Sequence, residues 1–311
     1  MDIPTTHPRA IQPGSTIGIV APAGPVENRD ALDMGIATLE RLGFRAQFDE
    51  RIFQSLRYLA GPDEARAEEL QRLFEDPGIH AILALRGGFG CSRLIPLLDE
   101  KRLRPHCKLF VGFSDLTTLH LLFRRRFGWV TIHGPMAASP ALGTISPAEE
   151  KNLYSLLTDP NYQPTFSFER LQTWVPGAAE GRLVGGCLSL IAASIGTPYE
   201  IRTAGKILFL EDTGEPPYRI DRMLTHLSLA GLLDSVAGVL LGEFLDCNPD
   251  RGSYTAEETL LDRLGQLGVP VLANFPAGHG AENWALPLGL AVRLDADARR
   301  LEFLESAVSR Y

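Results

Sequence analysis

A serine stands at a sharp turn directly after a short apolar run. Leu109 to Val111 are apolar, too few for a helix, and followed by Gly112, which predicts a buried parallel strand that ends in a tight turn. Ser114 lies in that turn, and an amphipathic segment begins at Asp115. Strand, turn with a serine, and helix is the order of a nucleophile elbow, which raises the serine hydroxyl above the sheet. The helix start behind the serine favours developing negative charge.

The motif is incomplete, because Leu116 occupies the position of the second glycine in G-x-S-x-G. A serine followed by an aspartate at a helix start is often only an N-cap. The nucleophile hypothesis therefore depends on whether the chain also supplies a base, an acid that orients the base, and donors for an oxyanion.

Two of the seven histidines, His133 and His279, stand at predicted strand ends among glycines. His279 lies between Gly278 and Gly280, on a loop that can bring an imidazole close to a ligand, and we favour it as the base. The alternative for His279 is a loop residue that bonds to the backbone. His133 is the second candidate base, and we favour a structural, backbone-bonded role for it.

The orienting acid is predicted at the end of the strand that runs from Lys206 to Glu211. The residues before Glu211 are almost all apolar, so its carboxylate is expected to be partly buried and must be paired. Asp212, the next residue, is the alternative acid. Glu215 and Asp221 are interpreted as surface or helix-cap residues.

Backbone N–H groups are the expected donors to an oxyanion. The N–H of Asp115, directly after the nucleophile, is the first candidate, and the N–H of Gly87 or Gly88 at the end of the preceding strand is the second. The segment Arg86-Gly-Gly-Phe-Gly does not match G-x-G-x-x-G, and the chain has no P-loop, which disfavours a dinucleotide site.

The elements that carry these residues alternate between strand and helix. Apolar runs and helical periodicity in residues 1–140 predict five strands, with a helix after each of the first four, including one through Leu94, Leu97 and Leu98. This pattern predicts an α/β fold with a parallel sheet covered by helices on both faces. In such sheets, ligands bind beyond the carboxyl ends of the strands, where Gly87 and Ser114 are expected.

The chain is predicted to contain two domains, at residues 1–140 and 180–311. Residues 141–179 are rich in Ala, Ser, Pro and Gly around one helix at 147–158, and are interpreted as a linker. The second domain again alternates strands and helices. A capping box at Thr255–Glu258 opens one helix, and the chain closes with a hairpin of residues 290–294 and 301–304.

Composition excludes several classes of protein. The 311 residues are 45% hydrophobic and carry a formal charge of −8, and the longest basic run is the triplet at 124–126, so nucleic acid is not an expected partner. No apolar run has transmembrane length and no signal peptide is recognisable, so we expect a cytoplasmic protein that does not bind membranes. The four cysteines occur singly, which indicates neither a disulfide framework nor a metal site.

Four motifs follow one another along the chain: RGGFG at 86–90, GFSD at 112–115, LEDTGE at 210–215 and GHG at 278–280. In this combination the chain resembles the LD-carboxypeptidases, serine peptidases of family S66 that include murein tetrapeptide carboxypeptidases, and the related microcin C self-immunity peptidases. The resembling segments cover most of the chain. None of the four motifs is as specific alone as their order.

The resemblance implies a Rossmann- or flavodoxin-like N-terminal domain and a smaller C-terminal β/α domain, with the active site in the cleft between them. It assigns the nucleophile to Ser114, the acid to Glu211 and the base to His279, with Asp115 and Gly87 or Gly88 as oxyanion donors. The implied substrate is a small murein peptide from which D-Ala is released during cell-wall recycling. The implied enzyme needs no cofactor or metal and is a homodimer.

A substrate with a free terminal carboxylate needs a cation or a helix N-terminus to bind it. Arg86 is the candidate cation, and a structural ion pair is the alternative role for it. The same mechanism could act on a peptidyl-nucleotide or another amidated compound, as in the microcin C branch. A non-catalytic ligand-binding protein is the most distant alternative.

Overall fold

The computed structural model describes residues 3–248 and 254–310, and the chain forms two compact units. The first unit consists of residues 3–162, 284–287 and 306–310, and the second of residues 163–283 and 288–305. The segment 141–179, predicted as a linker, therefore contributes to both units. Its helix lies in the first unit, and its later residues form strands of the second.

Fourteen strands lie within the described residues: Thr16–Val20 (β1), Arg45–Gln47 (β2), Ala81–Ala84 (β3), Leu109–Gly112 (β4), Thr131–His133 (β5), Thr165–Phe166 (β6), Gln172–Val175 (β7), Ala178–Cys187 (β8), Ile207–Thr213 (β9), Gly238–Leu245 (β10), Val271–Ala273 (β11), Leu286–Leu288 (β12), Ala291–Asp295 (β13) and Arg300–Phe303 (β14). Ten α-helices lie in the same part of the chain: Arg29–Arg41 (α1), Asp63–Glu75 (α2), Cys91–Leu94 (α3), Glu100–Leu103 (α4), Thr117–Phe127 (α5), Pro140–Gly143 (α6), Pro147–Thr158 (α7), Leu188–Ala193 (α8), Pro217–Leu229 (α9) and Ala256–Leu264 (α10).

The first sheet has the strand order β12-β5-β4-β3-β1-β2, and its neighbours from β5 to β2 pair in parallel. The apolar runs of β1, β3 and β4 are buried along their whole length, as expected for parallel strands covered on both faces. Since β3 and β4 are neighbours, the loops after Ala84 and Gly112 leave the sheet at the same edge. That edge carries the RGG loop and Ser114.

Four aromatic side chains pack together in the core of the first unit. Phe74 of α2, Phe110 of β4, Phe123 of α5 and Trp129 are all fully buried. The ring centroids of Phe110 and Phe123 are 5.2 Å apart, and those of Phe74 and Trp129 are 5.3 Å apart. Aromatic pairs at such distances add to the stability from buried apolar area. The cluster fixes β4 and α5, the two elements between which Ser114 lies.

The second sheet has the order β6-β14-β13-β8-β9-β10-β11-β7. Its centre, β8 to β11, is parallel, and the flanking strands pair antiparallel. The predicted hairpin is present as β13 and β14, and Thr255 and Glu258 form the predicted capping box at the start of α10. The predicted α/β architecture with parallel strands and two units is therefore confirmed.

Two local predictions were wrong. The helix through Leu94, Leu97 and Leu98 is one α-turn followed by a 3₁₀ turn, because Pro96 has no N–H to continue the ladder. Strand β9 continues two residues beyond Glu211, which therefore lies inside the strand and not at its end.

Across residues 3–248 and 254–310, no helix combines the length and apolar character needed to cross a membrane.

Candidate active site

Ser114 has a left-handed backbone, with φ of +62°. This conformation is uncommon for residues other than glycine and concentrates at functional sites, including the nucleophile elbow. The turn requires Gly112, because a methyl group there would lie 2.9 Å from Leu116 Cγ and 3.1 Å from Ala84 Cβ. Leu116, which replaces the second glycine of the motif, is fully buried in the space that Gly112 leaves.

Ser114 does not act as the cap of the following helix. Neither the 3₁₀ turn Ser114–Leu116 nor helix α5 has a side-chain hydrogen bond at its N-cap. The carboxylate of Asp115 instead accepts a hydrogen bond of 2.8 Å from the N–H of Cys91 and is almost fully buried. The pKa of Asp115 is raised by burial, against the lowering effect of its hydrogen bonds. The N–H of Asp115 remains the first candidate oxyanion donor.

Gly87 lies directly against Ser114. A methyl group at Gly87 would lie 2.8 Å from Ser114 Cβ, 2.9 Å from Ser114 Oγ and 3.6 Å from the backbone N of Asp115. The space beside Ser114 Oγ therefore exists only because residue 87 has no side chain. Gly88 has φ of +113°, which a residue with a side chain rarely adopts, and it approaches Gly24 closely.

Arg86 has contacts with the loop after β1. Its guanidinium forms an ion pair with Glu27 and donates a hydrogen bond of 3.2 Å to the carbonyl oxygen of Pro25. Glu27 is largely exposed, so the pair is weakened by solvent. Arg86 therefore forms an ion pair within the folded chain, which is the alternative that we gave to substrate binding for this residue.

In the second unit, His279 and Glu211 are hydrogen-bonded. His279 Nδ1 lies 2.7 Å from Glu211 Oε2, and the Glu211 side chain has no exposed surface. Because a carboxylate accepts, Nδ1 carries the proton and Nε2 is left with a lone pair that can take a proton. The loop of His279 approaches this closely because residue 278 is glycine: a methyl group there would lie 2.7 Å from Glu211 Oε2.

The two groups of this pair shift each other's titration. Burial would lower the pKa of His279, but the hydrogen bond and charge of Glu211 outweigh it, and the pKa is raised. Burial raises the pKa of Glu211, opposed by the hydrogen bond from His279. A histidine held in one tautomer by a buried carboxylate is the arrangement of a general base.

Asp212, the alternative acid, faces the other side of β9. Its carboxylate accepts a hydrogen bond of 2.7 Å from the N–H of Ser189, near the start of α8, and one of 2.8 Å from the N–H of Thr213. Successive side chains of a strand point to opposite faces, so only one of the two acids can meet His279. The structure brings Glu211, and not Asp212, to the imidazole.

The other histidines near Ser114 in the sequence have different surroundings. His133 is fully buried, with its ring centroid 5.7 Å from that of Phe113. His120 Nε2 donates a hydrogen bond of 2.8 Å to the carbonyl oxygen of Gly112, and burial lowers the pKa of His120 to about 4. His120 is thus a neutral residue that supports the strand end before Ser114.

Two positions that support the His279 loop were missed by sequence analysis. Asn283 is buried, and its Oδ1 accepts a hydrogen bond of 3.1 Å from the N–H of Gly278. Gly242 leaves room for Glu211, since a methyl group there would lie 3.0 Å from Glu211 Cβ. Neither residue belongs to a recognisable sequence motif, and the signal that could have indicated them was the density of glycines around the two strand ends.

Within the described part of the chain, no three His, Cys, Asp or Glu residues are grouped so that they could hold a metal ion.

Both halves of the chain match descriptions of known protein families. The family description "LD-carboxypeptidase N-terminal domain" matches residues 17–134, and "LD-carboxypeptidase C-terminal domain" matches residues 180–294. A relative named "Probable murein peptide carboxypeptidase" from Bacillus subtilis is 37% identical over 97% of this chain and 95% of its own length. "Murein tetrapeptide carboxypeptidase" from Pseudomonas aeruginosa is 33% identical over 91% and 94%.

Solved structures share the fold. The crystal structure of muramoyltetrapeptide carboxypeptidase from Oxalobacter formigenes has a TM-score of 0.81 and 29% identity, covering 93% of this chain and 98% of its own. The structure of MccF in complex with glutamyl sulfamoyl guanosine has a TM-score of 0.90, with 97% and 99% coverage. Its identity of 23% makes it a likeness of fold alone.

Proposed function

Because the chain belongs to the LD-carboxypeptidase family, we propose that it is a serine carboxypeptidase that hydrolyses the amide bond between an L-centre and a C-terminal D-amino acid. The observation that carries the proposal is the left-handed backbone of Ser114 at a strand–helix turn. The substrate class comes from the relatives named for murein peptides and murein tetrapeptide. Release of D-Ala from murein tetrapeptide is the first expected reaction.

In the proposed mechanism, Ser114 Oγ attacks the carbonyl carbon of the L,D-amide while His279 Nε2 takes its proton. The N–H of Asp115, with that of Gly87 or Gly88, stabilises the oxyanion of the tetrahedral intermediate. The imidazolium of His279, stabilised by Glu211, gives its proton to the leaving amine as the carbon–nitrogen bond breaks. Water, deprotonated by the same imidazole, then hydrolyses the acyl-enzyme and restores Ser114.

The support for this mechanism differs between its parts. The Glu211–His279 pair has the geometry of an oriented base, and the position of Gly87 beside Ser114 Oγ supports an oxyanion site there. That His279 takes the proton of Ser114 is itself part of the proposal. Arg86 remains the proposed partner of the substrate carboxylate, in which case it must exchange Glu27 for the substrate.

The proposal is tested by mass spectrometry. The protein is incubated, with EDTA present, with murein tetrapeptide and separately with the isomer that ends in an L-amino acid. Loss of one D-Ala from the first substrate alone is the expected result. Cleavage of both isomers at equal rates would contradict the proposed stereochemistry.

Another outcome of the same experiment would leave the enzyme class as proposed but would require a different substrate. If neither isomer is cleaved but a fluorophosphonate still labels Ser114, the serine hydrolase stands and the substrate must be sought among amidated peptides and peptidyl-nucleotides. One relative, the microcin C7 self-immunity protein of Escherichia coli, is 26% identical over 98% of this chain. The homodimer, the cytoplasmic location and the role in recycling stay predictions.

A further inference from the structure

The peptide bond between Gly90 and Cys91, at the end of the RGG loop, is held from both sides by buried charged side chains. Arg66 Nη1 donates a hydrogen bond of 3.2 Å to the carbonyl oxygen of Gly90. Asp115 Oδ2 accepts a hydrogen bond of 2.8 Å from the N–H of Cys91. One of these side chains comes from helix α2, and the other belongs to the residue directly after the nucleophile.

Arg66 joins this loop to two others. Its side chain is 1% exposed, although it carries a permanent charge. Its guanidinium also donates to the carbonyl oxygens of Pro22 and Gly61, and it forms an ion pair with Asp63. A charge can be buried at this depth only when its donors are satisfied. A guanidinium can donate to three carbonyl oxygens on three different loops because its N–H groups point in several directions from one planar, branched group.

The other end of the RGG loop is fixed by the backbone. The N–H of Gly24 donates a hydrogen bond of 3.0 Å to the carbonyl oxygen of Gly87. The conformation between these two ends is set by glycines: Gly88 and Gly90 have φ of +113° and +142°. A flexible glycine segment therefore has a defined place relative to Ser114 only because it is tied down at residues 87 and 90–91.

We propose that Arg66 and the carboxylate of Asp115 are positioning residues for catalysis, which hold the RGG loop so that Gly87 or Gly88 can donate to the oxyanion. The inference rests on the proposed hydrolytic function. It assigns Arg66, which lies 48 residues before Ser114 in the sequence, a role exerted through the backbone and without contact to substrate. It also explains why the residue after the nucleophile is acidic and buried: its N–H faces the reaction, and its carboxylate fixes the loop that supplies the second donor.

The test compares Arg66→Lys with Leu73→Ala on the same helix. Lysine keeps the charge but cannot reach three carbonyl oxygens. Leu73 is buried against Gly18 of β1, and its truncation destabilises the unit without touching the loop. For each variant, the melting temperature is measured first. The values of kcat and KM and the second-order rate of Ser114 labelling by a fluorophosphonate are then measured at a temperature at which that variant is folded.

We expect Arg66→Lys to lower kcat and the labelling rate by roughly 10- to 100-fold with KM changed by less than about 3-fold, because a small misplacement of an oxyanion donor has effects of this order. Leu73→Ala should lower the melting temperature but keep kcat within about 2-fold of wild type. In Arg66→Ala, millimolar guanidinium should restore part of kcat, and it should have no such effect on Leu73→Ala.

Equal losses of kcat per folded molecule in Arg66→Lys and Leu73→Ala would overturn the positioning role. So would full activity of Arg66→Lys with only a lower melting temperature. If both Arg66 variants fail to fold, Asp115→Ala decides, because it removes the acceptor of the Cys91 N–H. Its expected labelling rate is about 10-fold below wild type; an unchanged rate would contradict the inference. If wild type cleaves no L,D-amide, the proposed function fails, while the labelling rates still test the positioning.

Discussion

His279 Nδ1 and Glu211 Oε2 are 2.7 Å apart, although 68 residues separate them in the sequence. The glycine before the histidine makes this approach possible, and complete burial of the glutamate keeps water from competing for its carboxylate. The pair therefore has a fixed tautomer and a histidine whose affinity for protons is increased by its neighbour. This relationship leads directly to a pH prediction.

Replacement of Glu211 by Gln should shift the acidic limb of the kcat/KM profile to lower pH. The proposed base is active when His279 is neutral, so activity is expected to rise with pH through the pKa of His279, which Glu211 raises. Gln removes the charge that favours the imidazolium, and the pKa then falls. We expect turnover to fall as well, but less than in the variants of Ser114 or His279. A profile that keeps its midpoint would show that Glu211 does not control the titrating group.

Ser114→Ala and His279→Ala should each lower kcat by several orders of magnitude. Without the hydroxyl there is no acyl-enzyme, and without the imidazole there is no acceptor for the proton. Steady-state hydrolysis and fluorophosphonate labelling measure the two effects separately, since Ser114→Ala should abolish labelling altogether. Near-normal turnover in His279→Ala would contradict the base assignment and bring His133 forward.

Gly87→Ala should abolish most of the activity and leave the fold intact. The added methyl group would lie 2.8 Å from Ser114 Cβ and 2.9 Å from Oγ, so it occupies the space in which the substrate carbonyl is proposed to react. Gly265→Ala is the matched control, because its methyl group would lie 3.4 Å from the nearest atom, Leu261 Cδ1, in an ordinary right-handed backbone. Circular dichroism checks the fold, and comparable kcat values for the two variants would argue against a reaction site beside Gly87.

Glu69→Gln should stabilise the protein at alkaline pH and have little effect at acidic pH. Burial raises the pKa of Glu69 from 4.5 to about 7, so the folded state binds a proton more tightly than the unfolded state. Stability is then lost as pH rises from about 4.5 to above 7, by up to about 3 kcal/mol. The amide has no charge to bury.

The measurement for Glu69 is the difference in melting temperature between variant and wild type at pH 5 and at pH 8. Glu68→Gln makes the same change of charge at a neighbouring residue whose side chain is 58% exposed, and serves as the control. A gain that is the same at both pH values, or equal in the two variants, would refute the explanation by burial.

The sequence alone was sufficient to predict the α/β architecture, and the candidate residues of the proposed site were also chosen from it. Buried parallel strands appear as short apolar runs between glycines, so β3, β4 and the turn at Ser114 could be located from the sequence. Strands β6 and β7 could not, because they are edge strands of two and four residues in a segment without alternation.

Tertiary structure decided which of these residues meet. Glu211 and Asp212 are adjacent acids, and the sequence cannot tell which face of β9 turns toward the histidine loop, because that depends on strand pairing far along the chain. Arg66 shows the same limit more strongly. From the sequence, a single arginine in a helix with many charges is predicted to be a surface residue. Only the folded chain shows that Arg66 is buried among three loops. Burial is decided by how the elements pack, and not by the residue type.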